Sequence, residues 1–225
     1  MISGATRLVA LLGHPVADSL SPRMQNAAFA ARGLDWAYVA CDVDEHGLED
    51  AVRGLAALGF AGANVTTPHK LAVARLVDAS VPSVNTLVFR GGIEGYSTDT
   101  AILDRVETRS VAILGDGGSA AAFGHALPEA KRFSRRGEWP PSVDDVEVVV
   151  NATSEREEVL VELLRGQTLI DLPYPKTATA RAAESAGARV IDGLDVLVAQ
   201  GAAAFELWTG ISAPVDVMRA AVRSA

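Results

Sequence analysis

The chain has 225 residues, 49% hydrophobic and 21% charged, which excludes a disordered tail or a fibre. At roughly 150 residues per domain, that length predicts between one and two domains. Lys and Arg number 20 against 28 Asp and Glu; the net charge of −8 argues against nucleic acid as the main partner.

The single cysteine, Cys41, permits no intrachain disulfide and reads as a small strand residue. Met1 to Gly13 carries no long apolar stretch or cleavage signal, and no run reaches about 18 apolar residues. Neither a signal peptide nor a membrane span is expected, and the default location is the cytoplasm.

Arg7–Leu12 is an apolar run ending at Gly13 and predicts a buried strand. Met24, Ala27, Ala28 and Ala31 recur at helical spacing over Pro22–Arg32, which Gly33 closes. Trp36–Asp42 predicts a strand, and Gly47–Leu58 a helix with Leu48, Val52 and Leu55 on one face. A short strand, Gly62–Val65, precedes a helix over His69–Val77, with Pro68 near its first turn. Gly91-Gly92 between Asn85–Arg90 and Ile93–Tyr96 signals a hairpin, and Asp99–Val106 is helical.

The pattern then restarts. Val111–Leu114 predicts a strand, followed by a Gly-rich turn and a helix from Ser119 to Leu127. Lys131–Ser134, Val146–Asn151 and Thr168–Leu172 predict strands; Thr177–Ala186, Gly193–Trp208 and Pro214–Arg223 predict helices. This alternation predicts an α/β fold of parallel sheets covered by helices on both faces, with a domain boundary just before Ser110. Gly137 to Asp145 includes Pro140 and Pro141 and is too short for a crossover helix, so a loop is expected there.

Gly115-x-Gly117-x-x-Ala120 lies between a strand and a helix, the context that a dinucleotide fingerprint requires. Glycines allow close approach of a diphosphate, and the helix N-terminus meets its charge. Asp116 opposes this by placing a carboxylate in the turn. At the end of the next strand, Ser134-Arg135-Arg136 favours NADP over NAD, because forked guanidiniums suit a 2′-phosphate.

Ser19-x-Ser21-Pro22 reads as a helix N-cap, or as two hydroxyls placed for a carboxylate. Asn64, Thr66, Thr67, His69 and Lys70 crowd a strand's C-terminal end, where ligands of α/β sheets collect. Lys70 is a candidate proton-transfer group, whereas His69 reads as a structural, hydrogen-bonding histidine. Asn85 and Asp99 stand at further strand ends.

These residues resemble the shikimate dehydrogenase family. The similarity runs through Gly13–Pro22, Gly62–Lys70, Ser83–Leu87, Gly95–Asp99, Gly115–Ala120, Val150–Ser154, Asp171–Thr177 and Asp192–Leu194, then Gln200, Phe205 and Trp208-Thr209-Gly210. The resemblance implies a substrate domain of residues 1–102 joined by returning helices over 194–225, and a Rossmann-like NADP domain of residues 103–193. It implies NADPH-dependent reduction of 3-dehydroshikimate to shikimate, a step of aromatic amino acid biosynthesis. Lys70 and Asp99 would be catalytic, and Ser19 and Ser21 would take the carboxylate. Asn64, Thr66, Asn85 and Gln200 would hold ring hydroxyls, with Tyr174 lining the site. Gly115, Gly117, Gly118, Ser119, Ser134, Arg135, Arg136, Asn151 and Thr153 would bind NADP.

The chain departs from the family at Asp18, Gln25, Ser97 and Asp116, which bears on cofactor affinity first and substrate identity second. Quinate or aminoshikimate is the alternative substrate. A non-catalytic paralogue that keeps the substrate cage is the alternative of another class. No metal is expected, and the protein is expected to be a monomer or homodimer.

Overall fold

A computed structural model describes residues 2–107 and 109–224. The chain divides into two compact units, Met1–Thr98 with Val198–Ala225, and Asp99–Leu197.

The first unit is built on a five-stranded sheet. Its elements in chain order are β1 (Arg7–Gly13), α1 (Ser21–Ala31), β2 (Trp36–Asp42), α2 (Leu48–Ala57), β3 (Gly62–Val65), α3 (Lys70–Leu76), β4 (Thr86–Phe89) and β5 (Ile93–Tyr96). The strand order is β2-β1-β3-β4-β5. The β1–β2 and β1–β3 pairs are parallel, whereas β3–β4 and β4–β5 are antiparallel. The sheet is therefore mixed rather than wholly parallel. The Gly91-Gly92 hairpin turns the chain straight back, and a direct return imposes an antiparallel pair.

Alternation along the strands divides the core between two faces. On one, Ala10, Leu12, Ala63, Val65 and Leu87 pack with Leu48, Val52 and Leu55 of α2 and Val73 and Ala74 of α3. Buried Met24, Ala28 and Phe29 belong to α1, and Phe29 stacks on Phe205 with ring centroids 5.5 Å apart. Phe205 and Trp208 belong to α6 (Gly193–Thr209), and α7 (Val215–Arg223) buries Met218 and Val222. Gly62 is required by this packing, because a Cβ there would overlap the Trp208 indole and the Leu87 carbonyl.

A 3-10 helix, Asp99–Arg105, opens the second unit. There follow β6 (Val111–Leu114), α4 (Gly118–Ala126), β7 (Lys131–Phe133), β8 (Val148–Asn151), β9 (Thr168–Asp171), α5 (Ala178–Ser185) and β10 (Arg189–Ile191). Three-residue β10 is absent from the sequence expectation, since so short a run carries no periodic signal. The strands are all parallel, in the order β10-β9-β8-β6-β7. A six-stranded dinucleotide fold runs 3-2-1-4-5-6. Among the described residues, this sheet has the equivalents of strands 2, 1, 4, 5 and 6 and none of strand 3.

Residues 134–147, the link from β7 to β8, contain no helix, as their length predicts. Residues 152–167, the link from β8 to β9, contain none either, and the sequence reading places none there. Side chains from these two loops cover one sheet face beside α5. Val143, Val146, Leu160, Val161 and Leu163 are buried with Ala112, Leu114, Val149 and Leu169, beside Ala180 and Ala183 of α5. Buried Gln167 ties the loops together. Its Nε2 donates to the carbonyls of Val143 and Val146, both at 2.8 Å, and its Oε1 accepts from Leu164 N at 2.7 Å. On that face extended chain tied by the Gln167 amide stands beside α5. Edge strand β7 stays short and carries Lys131 and Arg132 on exposed positions, which discourages further strand pairing.

Candidate active site

In the first unit the chain leaves β1 for α1 and β2 on one side, while β3 lies on the other. The carboxyl ends of β1 and β3 therefore flank a topological switch point, where α/β sheets bind ligands. The segment after β1 carries Ser19, and the segment after β3 carries Thr66 and Lys70. His14 N donates to Thr67 O at 3.1 Å and Thr66 N to Leu12 O at 2.8 Å, so the two segments are held side by side.

Ser21 is the first residue of α1 rather than its cap; the cap position is Leu20, with no side-chain capping bond. Pro22 accounts for this, since its fixed φ and missing N–H suit the first turn without help. Ser19 Oγ accepts from Ser21 N at 3.3 Å. Both hydroxyls are half-buried at the start of an 11-residue helix. Lys70 is the first residue of α3, half-buried. Adjoining His69 is 1% exposed. Its Nε2 lies 2.6 Å from Val43 O, and a carbonyl only accepts, so Nε2 carries the proton. His69 is the structural histidine expected.

Asn85 is the hub of this unit. It is 3% exposed, and its Nδ2 donates to Thr98 Oγ1 at 3.0 Å and to Gln200 Oε1 at 3.2 Å. Its Oδ1 accepts from Thr98 N at 2.7 Å and from Thr86 Oγ1 at 3.2 Å. Asn64 supports the hub from β3. Its Nδ2 donates to Asn85 O and Thr86 Oγ1, each at 3.0 Å, and its Oδ1 accepts from Tyr38 OH at 2.8 Å. Both N–H groups of Asn64 are thus committed within the protein, leaving its oxygen a free lone pair. Gln25 fixes α1 to α6 beside Gln200: its Nε2 donates to Gly201 O at 2.9 Å. Sequence reading noted Gln25 only as a departure; its fully buried position and this contact emerge from the packing.

In the second unit, Asp99 is 3% exposed at the start of the 3-10 helix. Gly115 has φ +117°, and a Cβ there would meet Ala152 O at 2.9 Å, so only glycine fits. Around Gly117 a Cβ would meet nothing within 4 Å, and the position caps nine-residue α4. The first turn of α4 begins at Gly118 and Ser119, at the end of the helix where backbone amides point outward. An open cradle over a helix N-terminus suits a diphosphate. Asp116 does not point a bare charge into it, because its carboxylate pairs with Arg136 Nη1 at 3.6 Å. Arg135 pairs with Glu158 and lies over the Trp139 ring, 5.7 Å from its centroid. The two arginines after Ser134 are therefore not clasped together; each has its own carboxylate.

Asn151 and Thr153 shape the turn beside Gly115. Asn151 Oδ1 accepts from Thr153 Oγ1 at 2.7 Å, and its Nδ2 donates to Asp171 Oδ1 at 2.8 Å. Thr177 Oγ1 donates to the same Asp171 oxygen at 3.1 Å. Burial pushes the Asp171 carboxyl above its usual range, and the bonds from Asn151 and Thr177 oppose that rise. Tyr174 is half-buried, and its carbonyl accepts from Arg156 at 3.4 Å.

A family model described as the shikimate dehydrogenase substrate binding domain matches residues 11–87. A second, described as the shikimate 5'-dehydrogenase C-terminal domain, matches residues 193–223. The shikimate dehydrogenase (NADP(+)) of Anaeromyxobacter dehalogenans is 41% identical, over 98% of this chain and 97% of that protein. The chain belongs to the shikimate dehydrogenase family. The Methanopyrus kandleri shikimate dehydrogenase (NADP(+)) is 38% identical over 98% of this chain and 96% of its own length. A Thermus thermophilus shikimate 5-dehydrogenase, solved with NADP(H) and shikimate, superposes with a TM-score of 0.85 at 29% identity, over 97% of this chain and 99% of that one. The two curated alignments run over 270 and 280 positions although this chain has 225 residues, so these shikimate dehydrogenases carry stretches without counterpart here. Among the described residues, no helix is long and apolar enough to cross a membrane, and no cluster of His, Cys, Asp and Glu suits a metal ion.

Proposed function

We propose that this protein is an NADP-dependent shikimate dehydrogenase that interconverts 3-dehydroshikimate and shikimate in the cytoplasm. The observation that carries the reading is the buried Asn85 hub, which joins Asn64, Thr98 and Gln200 at the strand ends of the first unit. Such a preorganised polar cluster suits a small polyol acid, because its hydroxyls would meet polar groups already held in position.

Ser19 and Ser21, at the start of α1, bind the substrate carboxylate with the help of the helix dipole. Gln200 and Asn85 hold ring hydroxyls, and Thr66 and Tyr174 line the site. The cradle of Gly115, Gly117, Gly118 and Ser119 would hold the diphosphate of NADP, with Ser134, Arg135 and Arg136 at its 2′-phosphate. Asn151 and Thr153 support the cradle by shaping the adjoining turn. Bound NADPH supplies the hydride for the ketone carbon. Lys70 meets the negative charge that grows on the ketone oxygen and delivers a proton to it. Asp99 accepts a hydrogen bond from the same hydroxyl and holds it in line. In the reverse direction the same pair receives the hydroxyl proton.

A non-catalytic paralogue, suggested by the trimmed cofactor domain and by Asp116, is the alternative; the pairing of Asp116 with Arg136 offsets the charge in the turn. The test is an absorbance assay of nicotinamide reduction with shikimate, quinate and aminoshikimate. Turnover of shikimate with NADP is expected. A preference for quinate, or no turnover by a protein that binds NADPH, overturns the assignment.

A further inference from the structure

The two arginines after β7 are already paired with carboxylates that belong to the chain. Arg135 is paired with Glu158, and Arg136 with Asp116 at 3.6 Å. The two carboxylates come from different places. Asp116 lies in the Gly-rich turn before α4, and Glu158 in the helix-free loop between β8 and β9. That loop adds a second acid, Glu155, whose carboxyl is held below its usual range chiefly by hydrogen bonds from the Glu157 and Glu158 amides and least by the charge of Arg135. The Arg135 guanidinium lies over the Trp139 ring, and its Nη2 donates to Glu158 Oε2.

We propose that Glu158 and Asp116 are specificity-determining residues: carboxylates that occupy the two arginines and yield only to a ligand bearing a 2′-phosphate. The proposal rests on the reading of the second unit as an NADP site. A 2′-phosphate carries close to two negative charges and three acceptor oxygens, against one charge and two oxygens for a carboxylate. It therefore displaces both carboxylates from their guanidiniums. A ligand with a bare 2′-hydroxyl cannot, and must bind with the ion pairs in place. The ion pairs thus lower affinity for the 2′-phosphorylated ligand by the strength of the contacts it must break, which a ligand with a bare 2′-hydroxyl does not need to break. All four side chains are about half-exposed or more, so each pair is a modest competitor rather than a lock.

The experiment compares calorimetric titrations of the full chain with 2′,5′-ADP and with 5′-AMP, which differ only in the 2′-phosphate. Glu158→Gln and Asp116→Asn remove charge with little change of shape. Each should raise the affinity ratio of 2′,5′-ADP over 5′-AMP about two- to fivefold, the range that an exposed ion pair carries. The double variant should combine the two gains. An unchanged or lower ratio, an equal gain for both ligands, or no binding of 2′,5′-ADP to any of the proteins overturns the proposal. Thermal melts of each variant identify a loss of fold, and a Glu158→Ala variant that melts normally repeats the test. If the ratio shifts as expected while shikimate is not oxidised, the gate stands and the proposed activity falls.

Discussion

Asn85 Nδ2 donates to Gln200 Oε1 at 3.2 Å, joining a residue just before β4 to one on α6, 115 positions later in the chain. The same amide holds Thr98 through both its nitrogen and its oxygen. Asn85→Ala therefore strands the Thr98 amide and frees Gln200 from its partner. Loss of buried hydrogen bonds of this kind costs about 1–3 kcal/mol. Urea denaturation should show a loss in that range, and kcat/KM should fall by about tenfold or more as the substrate loses its alignment. Unchanged stability and activity would remove Asn85 from the centre of the site.

Lys70 is expected to act on the reacting oxygen and not on the cofactor. Lys70→Ala should lower kcat by about a hundredfold to ten-thousandfold, the range for a general acid or base. NADPH affinity, read by fluorescence titration, should stay within a factor of two of the parent protein's, ~2-fold being the scatter of a weak indirect effect. A small kcat effect with weakened NADPH binding would contradict the assigned role.

Gly62 faces the Trp208 indole, whose Nε1 donates to Leu87 O at 2.9 Å. A methyl group at residue 62 would intrude on both the indole and the carbonyl. Gly62→Ala should destabilise the protein by about 1–3 kcal/mol or more, as overpacked cores do. The Trp208 fluorescence should shift with it, because the ring must move. A neutral substitution would contradict the packing of α6 on β3 and β4.

His14 Nδ1 lies 2.5 Å from Asp42 Oδ1. That hydrogen bond, with the charge of Asp42 and a smaller share from Asp44, raises the imidazole pKa above its ordinary value of 6.5. A raised folded-state pKa gives a contribution to stability that is complete below pH 6.5 and is lost as pH climbs through the folded-state value. NMR titration should place His14 above 6.5, and Asp42→Asn should bring it back toward that value. A His14 pKa indifferent to Asp42→Asn would show that the pair does not persist in solution.

Periodicity and punctuation in the sequence were enough to locate nearly every element. Apolar runs, helical faces and terminal glycines act locally, so β2, β3, β5 and β6 have the bounds that their residues predict. The polar residues between Asn64 and Lys70, and the glycines around Asp116, likewise declared their chemistry by their spacing. Short segments did not. Three-residue β10 has no period to read, and the loop between β8 and β9 carries buried Leu160, Val161 and Leu163 without a helical pattern.

What the sequence by itself determined is the alternating α/β plan, the missing crossover helix after Arg136 and the family to which the chain belongs. Only the tertiary structure decided which polar groups serve one another. Asn64 spends both its N–H groups on Asn85 and Thr86, and Asp116 meets Arg136 from 20 residues away. Spacing along a chain reports which face a side chain takes, because strand and helix periods are local. The partner of a buried amide or a charge depends on strand order and register, which long-range packing sets.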